Sequence, residues 1–325
     1  MNFSNDCFNP VLEAAPLDPA LAGFLAQAAA QGKPPLESLP PPVARQIYRE
    51  LAEALGVPAP GIGQVFETSI PGPGGPLQLR VYAPGTRALQ TSLPVLLYLH
   101  GGGFVIGDLE SHDKVCRTLC SHADMLVVAV DYRLAPEHPF PAAPDDAETA
   151  LRWVLGNVAT LGGDPRRVAV AGDSAGAQLA LVATRRVKDG GVCALGLIYP
   201  VAQHPDEPSD SYRENGEGKF LTTEVMRWFT ASYLGGQVDA SNHPDFTLLK
   251  SGGFERLPAT WIATMGHDPL RDEGHALAQR MSTAGVTVAH CHYPGAIHAC
   301  IHFTAVSPIG LQVMTDLAQW LREQV

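Results

Sequence analysis

The spacing of apolar residues changes character near residue 60. Before that point, "VARQIYRELAEAL" (43–55) sets Val43, Ile47, Leu51 and Leu55 four residues apart, the pattern of an amphipathic helix. "LAGFLAQAAA" (21–30) reads as a second packed helix. The Pro- and Gly-rich stretch 56–75 separates this helical region from the rest. From there on the texture is that of strands. "QVFETSI" (64–70) and "LQLRVYA" (77–83) alternate as half-buried strands do and suggest an antiparallel start. "PVLLYLH" (94–100) and "MLVVAVDY" (125–132) are unbroken apolar runs, expected of strands covered on both faces of a parallel sheet. "RVAVAG" (167–172), "ALGLIY" (194–199), "ATWIAT" (259–264) and "VTVAHCHY" (286–293) continue the series.

Helical patterns at 111–123, 143–158, 175–189, 271–284 and 308–324 fall between these strands. Gly190-Gly191 would stop the third of them. Alternation of this kind predicts an α/β fold with a mainly parallel sheet of eight strands flanked by helices. One connection is too long. About sixty residues separate "LIYP" from "ATWIAT", where a crossover needs about a dozen. Within it, "TTEVMRWFTASYL" carries Trp228 and Phe229 in a helical pattern. Aromatics at that spacing favour a core role over a substrate channel, because burying each is worth ~2–3 kcal/mol.

Composition narrows the function classes. The 325 residues carry a formal net charge of −11 and no basic cluster, which argues against a nucleic-acid partner. Asp6 and Glu13, with prolines at 10, 16 and 19, interrupt the N-terminus, so a signal peptide is not expected. No apolar run reaches the roughly 18 residues of a membrane span, so stable membrane insertion is not expected either. The cysteines at 7, 116, 120, 193, 291 and 300 form no C-x-x-C pair. They read as small packed residues of a cytoplasmic protein, not as a disulfide framework.

The chemistry gathers at strand ends. "VAVAGDSAGAQLAL" (168–181) runs from a buried strand through Gly-x-Ser-x-Gly into a helix. Such a turn lifts the Ser174 hydroxyl above the sheet edge and leaves the Ala175 N–H facing the same space. A serine nucleophile needs a base and an acid that orients it. Asp268 and His298 lie just past the two following strands, at the same sheet edge. Asp268 also suits a helix N-cap, followed as it is by Pro269. Asp272 is the rival acid, but it falls inside the expected helix. "YLHGGGFVIGD" supplies consecutive N–H groups at Gly102 and Gly103 that could hold an oxyanion, with His100 shaping the turn. Asp173 is expected to support the turn. The set His290, His292, His298, Cys300 and His302 is too irregular in spacing for structural zinc, so no metal is expected.

"HGGGF" (100–104), "DYRLAPEHPFPAA" (131–143), "GDSAG" (172–176), "DPLRDEG" (268–274) and "GAIHACIHF" (295–303), in this order, resemble the bacterial hormone-sensitive-lipase-like carboxylesterases (family IV) of the α/β-hydrolase fold. The resemblance implies hydrolysis of short- to medium-chain acyl esters without a cofactor. Small-molecule esters would be the partners, and homodimers are common in the family. It makes Ser174 the nucleophile, His298 the base and Asp268 its acid, with Gly102, Gly103 and Ala175 as oxyanion donors. It further implies helical cap segments at 1–55 and 203–250 over a catalytic domain of 56–202 and 251–325. Ala177, Ala299 and Cys300 depart from the family pattern, and Phe303 could fill the space left beside His298. A different leaving group would make the same triad an amidase, peptidase or acyltransferase. The presence of all three triad candidates argues against a ligand-binding receptor.

Overall fold

A computed structural model describes residues 12, 15–85, 92–188, 190–207, 209–237 and 241–325. The readings of Asp6, Cys7 and Glu13 lie outside the described residues. Eight strands form one sheet in the order β1-β2-β4-β3-β5-β6-β7-β8. They are β1 (Gln64–Gly72), β2 (Gly75–Ala83), β3 (Leu93–Leu99), β4 (Leu126–Asp131), β5 (Gly163–Asp173), β6 (Val192–Ile198), β7 (Ala259–His267) and β8 (Val288–Ile297). β2 runs antiparallel to both β1 and β4, and every other pair is parallel. The sheet is the mainly parallel α/β architecture that the alternation predicts, and it agrees with the α/β-hydrolase fold that the family resemblance implies.

The continuous apolar runs have a physical reason: successive side chains point to opposite faces and both faces are covered. On β3, Val95, Leu97 and Leu99 join the core beneath α4 (Ala142–Asn157), α5 (Ala175–Arg186) and α8 (Arg271–Thr283). Leu96 and Tyr98 join the opposite core, beneath α3 (Asp113–Ala123) and α9 (Ile309–Gln324). The remaining helices are α1 (Pro19–Ala30), α2 (Pro41–Leu55), α6 (Asp210–Asn215) and α7 (Thr223–Leu234), the last two in the long β6–β7 connection.

α5 ends at Arg186 instead of reaching Gly190-Gly191. Val187 already leaves helical geometry (ψ 84°), and the two glycines take positive φ in the turn into β6. Gly190-Gly191 is therefore a turn of its own and not the helix stop. No helix of the described residues is long and apolar enough to cross a membrane.

Candidate active site

Ser174 follows β5 directly and caps α5, with φ 53° and ψ −119°, a backbone region that non-glycine residues seldom occupy. The glycines around it permit the corner. A Cβ on Gly172 would collide with the backbone of Gly176, and one on Gly176 with the carbonyl oxygens of Leu99 and His100. The Ser174 N–H donates to the Ile198 carbonyl (2.8 Å), which ties the turn to β6. Ala175, at the head of α5, has one of the N–H groups that helix geometry leaves without an intrahelical acceptor.

His298 lies just beyond β8. Its Nε2 is 3.0 Å from Ser174 Oγ, and its Nδ1 is 2.7 Å from Asp268 Oδ2. Asp268 is wholly buried. Its other oxygen accepts the Leu270 N–H (2.9 Å), closing a turn ahead of α8; the helix begins at Arg271 with Leu270 as its N-cap, so Asp268 is not the N-cap that Pro269 suggests. Asp272 turns elsewhere: it accepts the Ser211 N–H (2.8 Å) and pairs with Arg271. The structure thus brings Ser174, His298 and Asp268 together and leaves Asp272 outside.

The glycine turn after β3 faces the same cavity. Gly102 (φ 118°) and Gly103 (φ 60°) need conformations open to glycine. His100 Nδ1 bonds the Gly101 carbonyl (2.8 Å), and its ring stacks on Tyr132 at 4.2 Å. Burial, aided by the His112 ring, lowers the His100 pKa to about 4, so the ring is neutral. Asp173 points away from the serine hydroxyl. Its Oδ1 accepts the Tyr98 hydroxyl (2.8 Å) and the Gly101 N–H (2.9 Å). Burial pushes this carboxyl up, but the His112 and His302 rings and the Tyr98 hydroxyl outweigh it and hold it well below the usual carboxylate range.

A cavity of about 150 Å³ opens over these groups, lined by Gly102, Gly103, Ser174, His298 and Ala299. Apolar residues form its walls: Ile47, Tyr48 and Leu51 from α2, and Val225, Met226 and Phe229 from α7. Sequence patterning ranks Phe229 as a core residue. It is buried, yet its ring also stands directly over Gly103, so it belongs to the site. Trp228 packs beside it with centroids 5.0 Å apart and is not among the lining residues. Phe303 is buried against Phe24 and Phe220.

The histidines weighed for zinc separate. His290 and His292 both bond Thr264 Oγ1 (2.9 Å each), and Cys300 Sγ lies 3.8 Å from Met265 Sδ. Among the described residues one other group, His112, Asp173 and His302, brings three ligand atoms within 4.8 Å of one another. Asp173 Oδ1 is already taken there by two protein donors, so the group fits a hydrogen-bonded cluster. The α2 wall agrees with the cap helix expected at 43–55, but nothing in the sequence singles out His112. A histidine one residue before a helix carries no spacing signal of its own.

The arrangement is a hydroxyl, an imidazole and a carboxylate in line, beside a turn of open N–H groups under an apolar lid, which suits acyl transfer. Residues 96–302 match a family described as alpha/beta hydrolase fold. The chain is 39% identical to Esterase LipI of Mycobacterium tuberculosis over 75% of its own length and 77% of that protein's. It is 41% identical to Carboxylesterase NlhH of the same species, over 71% and 73% of the two chains. The chain belongs to the hormone-sensitive-lipase-like carboxylesterases. Solved structures agree with this placement. A hyperthermophilic esterase from Pyrobaculum calidifontis superposes on this esterase with a TM-score of 0.88 at 36% identity, covering 95% of this chain and 99% of the other. A thermostable esterase from Pseudomonas putida gives 0.90 at 31%, covering 96% and 98%. The esterase is a carboxylic ester hydrolase.

Proposed function

We propose that this esterase cleaves short- to medium-chain acyl esters by a Ser174–His298–Asp268 triad and an acyl-enzyme intermediate. The observation that carries the reading is the continuous pair of contacts, 3.0 Å from Ser174 Oγ to His298 Nε2 and 2.7 Å from Nδ1 to Asp268, on the floor of an apolar cavity. His298 takes the serine proton as Oγ attacks the ester carbonyl. N–H groups of Gly102, Gly103 and Ala175 receive the oxyanion. The imidazolium, steadied by Asp268, then protonates the leaving alcohol. Water, deprotonated by the same ring, attacks the acyl-enzyme and releases the acid. A small, nearly wholly apolar wall favours a short aliphatic acyl group.

The N-terminal helices, with 1–55, and the 203–250 segment act in this reading as the cap over a catalytic body of 56–202 and 251–325. The walls contributed by α2 and α7 support that division. The thiols of Cys116, Cys120, Cys193 and Cys300, outside any disulfide, support a reducing, cytoplasmic setting.

A series of p-nitrophenyl esters of increasing chain length tests the substrate class, with highest kcat/KM expected at short chains. Ser174→Ala should abolish both turnover and covalent labelling by an organophosphonate. Undiminished turnover in that variant overturns the triad.

A further inference from the structure

The proposed mechanism leaves one buried polar cluster without a task. The Asp173 backbone leads straight into Ser174, while its carboxylate holds the Gly101 N–H at 2.9 Å. One side chain thus spans the nucleophile turn and the glycine turn. A Cβ on Gly101 would collide with that carboxylate, so the two turns are as close as the backbone allows.

His112 secures this strut from behind. Its Nε2 makes a 3.3 Å polar contact with Asp173 Oδ1 that falls outside hydrogen-bond geometry, and both side chains are almost wholly buried. Its Nδ1 is 3.0 Å from Ser111 Oγ. Ser111 is fixed in turn by Asp108, whose backbone N–H donates to Ser111 Oγ (2.9 Å) and whose Oδ1 accepts the Ser111 N–H (2.7 Å). Arg49 of α2 closes the chain on Asp108 Oδ2 at 2.5 Å. His302 packs edge-on against the His112 ring, with centroids 4.6 Å apart. A buried carboxylate holds its position only while polar groups surround it, and losing one leaves its charge less compensated. A shift of about 1 Å in a catalytic constellation can lower the rate about a hundredfold.

We propose that His112 is a positioning residue of this esterase: its ring holds the Asp173 carboxylate where that carboxylate clamps Gly101 against the nucleophile turn, keeping the oxyanion N–H groups aimed. The proposal rests on the triad reading above. His112 acts through Asp173 and touches no substrate. Oxyanion donors act mainly on the transition state, so its loss falls on kcat and spares KM.

Three variants test it, with p-nitrophenyl butyrate as substrate and turnover expressed per active site titrated with phosphonate. His112→Phe keeps a ring and loses its polar nitrogens; His112→Gln keeps a polar group within reach of the carboxylate. The Phe variant should lose roughly 10- to 100-fold in kcat with KM changed less than about threefold, and the Gln variant should regain most of that loss. Wild-type turnover per site in the Phe variant overturns the proposal. So does an equal fall in both variants with KM rising in step, which marks a packing role. Should the Phe variant not fold, Ser111→Ala removes the ring's other partner. A lower kcat at constant KM then upholds the proposal, and an unchanged kcat overturns it. Ser174→Ala is run alongside. Its retained turnover refutes the triad itself, whereas a dead Ser174→Ala beside a fully active His112→Phe refutes only the role of His112.

Discussion

Gly156 and Gly176 both lie within helices, yet alanine should act on them with opposite sign. Nothing stands within 4 Å of a Cβ at Gly156 in α4, so Gly156→Ala should stabilise by ~0.5–1 kcal/mol through lost unfolded-state freedom. A Cβ at Gly176 meets the β3 backbone, which cannot move aside, so Gly176→Ala should destabilise by ~1–3 kcal/mol or more. Urea unfolding of the two variants decides the matter, and equal signs would contradict the close-approach argument. The Gly176 constraint was legible in the sequence because it belongs to a motif with a stated geometry. The same holds for the placement of Ser174, Asp268 and His298 at strand ends. His112 and His302 were not legible. They come from distant parts of the chain, and what makes them notable is that β5 delivers Asp173 between them. No local pattern encodes that.

At the scale of elements, apolar periodicity located the strands and helices because each buries a face that the sequence must supply. It failed at ends set by tertiary geometry: α5 stops at Arg186, before its glycines, and β5 begins at Gly163, before the apolar run that marks it. The place of β4 between β2 and β3 was equally invisible, since strand order depends on crossovers and not on composition. α7 shows how one residue can answer two demands. Phe229 satisfies the core periodicity of its helix and also roofs Gly103. Phe229→Leu should therefore widen the cavity at a smaller cost than the ~3–5 kcal/mol of a Phe→Ala change. Each further methylene that enters is worth ~0.8 kcal/mol. The ratio of kcat/KM for octanoate over acetate esters should rise about tenfold or more by that reckoning. An unchanged chain-length profile would remove Phe229 from the acyl wall.

For the whole molecule, the buried titratable groups make stability a function of pH, with terms of both signs. Burial, aided by the His112 ring, lowers His302 to about 3, and His100 is lowered to about 4 in the same way. Unfolded, each binds a proton below its ordinary value of about 6.5. Their contribution is thus present above pH 6.5 and is lost as the pH falls towards 4 and 3. By pH 5 this amounts to ~2 kcal/mol for each. Glu273 opposes them. Burial raises its carboxyl well above the usual range, helped by the Asp268 charge and resisted by the Ala202 N–H bonded to it at 2.8 Å. The folded chain holds this proton to higher pH than the unfolded chain does, so this contribution grows as the pH falls. The two histidines thus favour unfolding as the pH falls, and Glu273 acts in the opposite direction. The variants separate the terms. His302→Phe removes one of the acid-sensitive groups, so the fall in unfolding free energy between pH 6.5 and pH 5 should be smaller than in the unaltered esterase. Glu273→Gln removes the opposing group and should make the acid loss steeper than in the unaltered esterase. Parallel slopes in all three proteins would mean that these side chains exchange protons with solvent in the folded state, contrary to their burial.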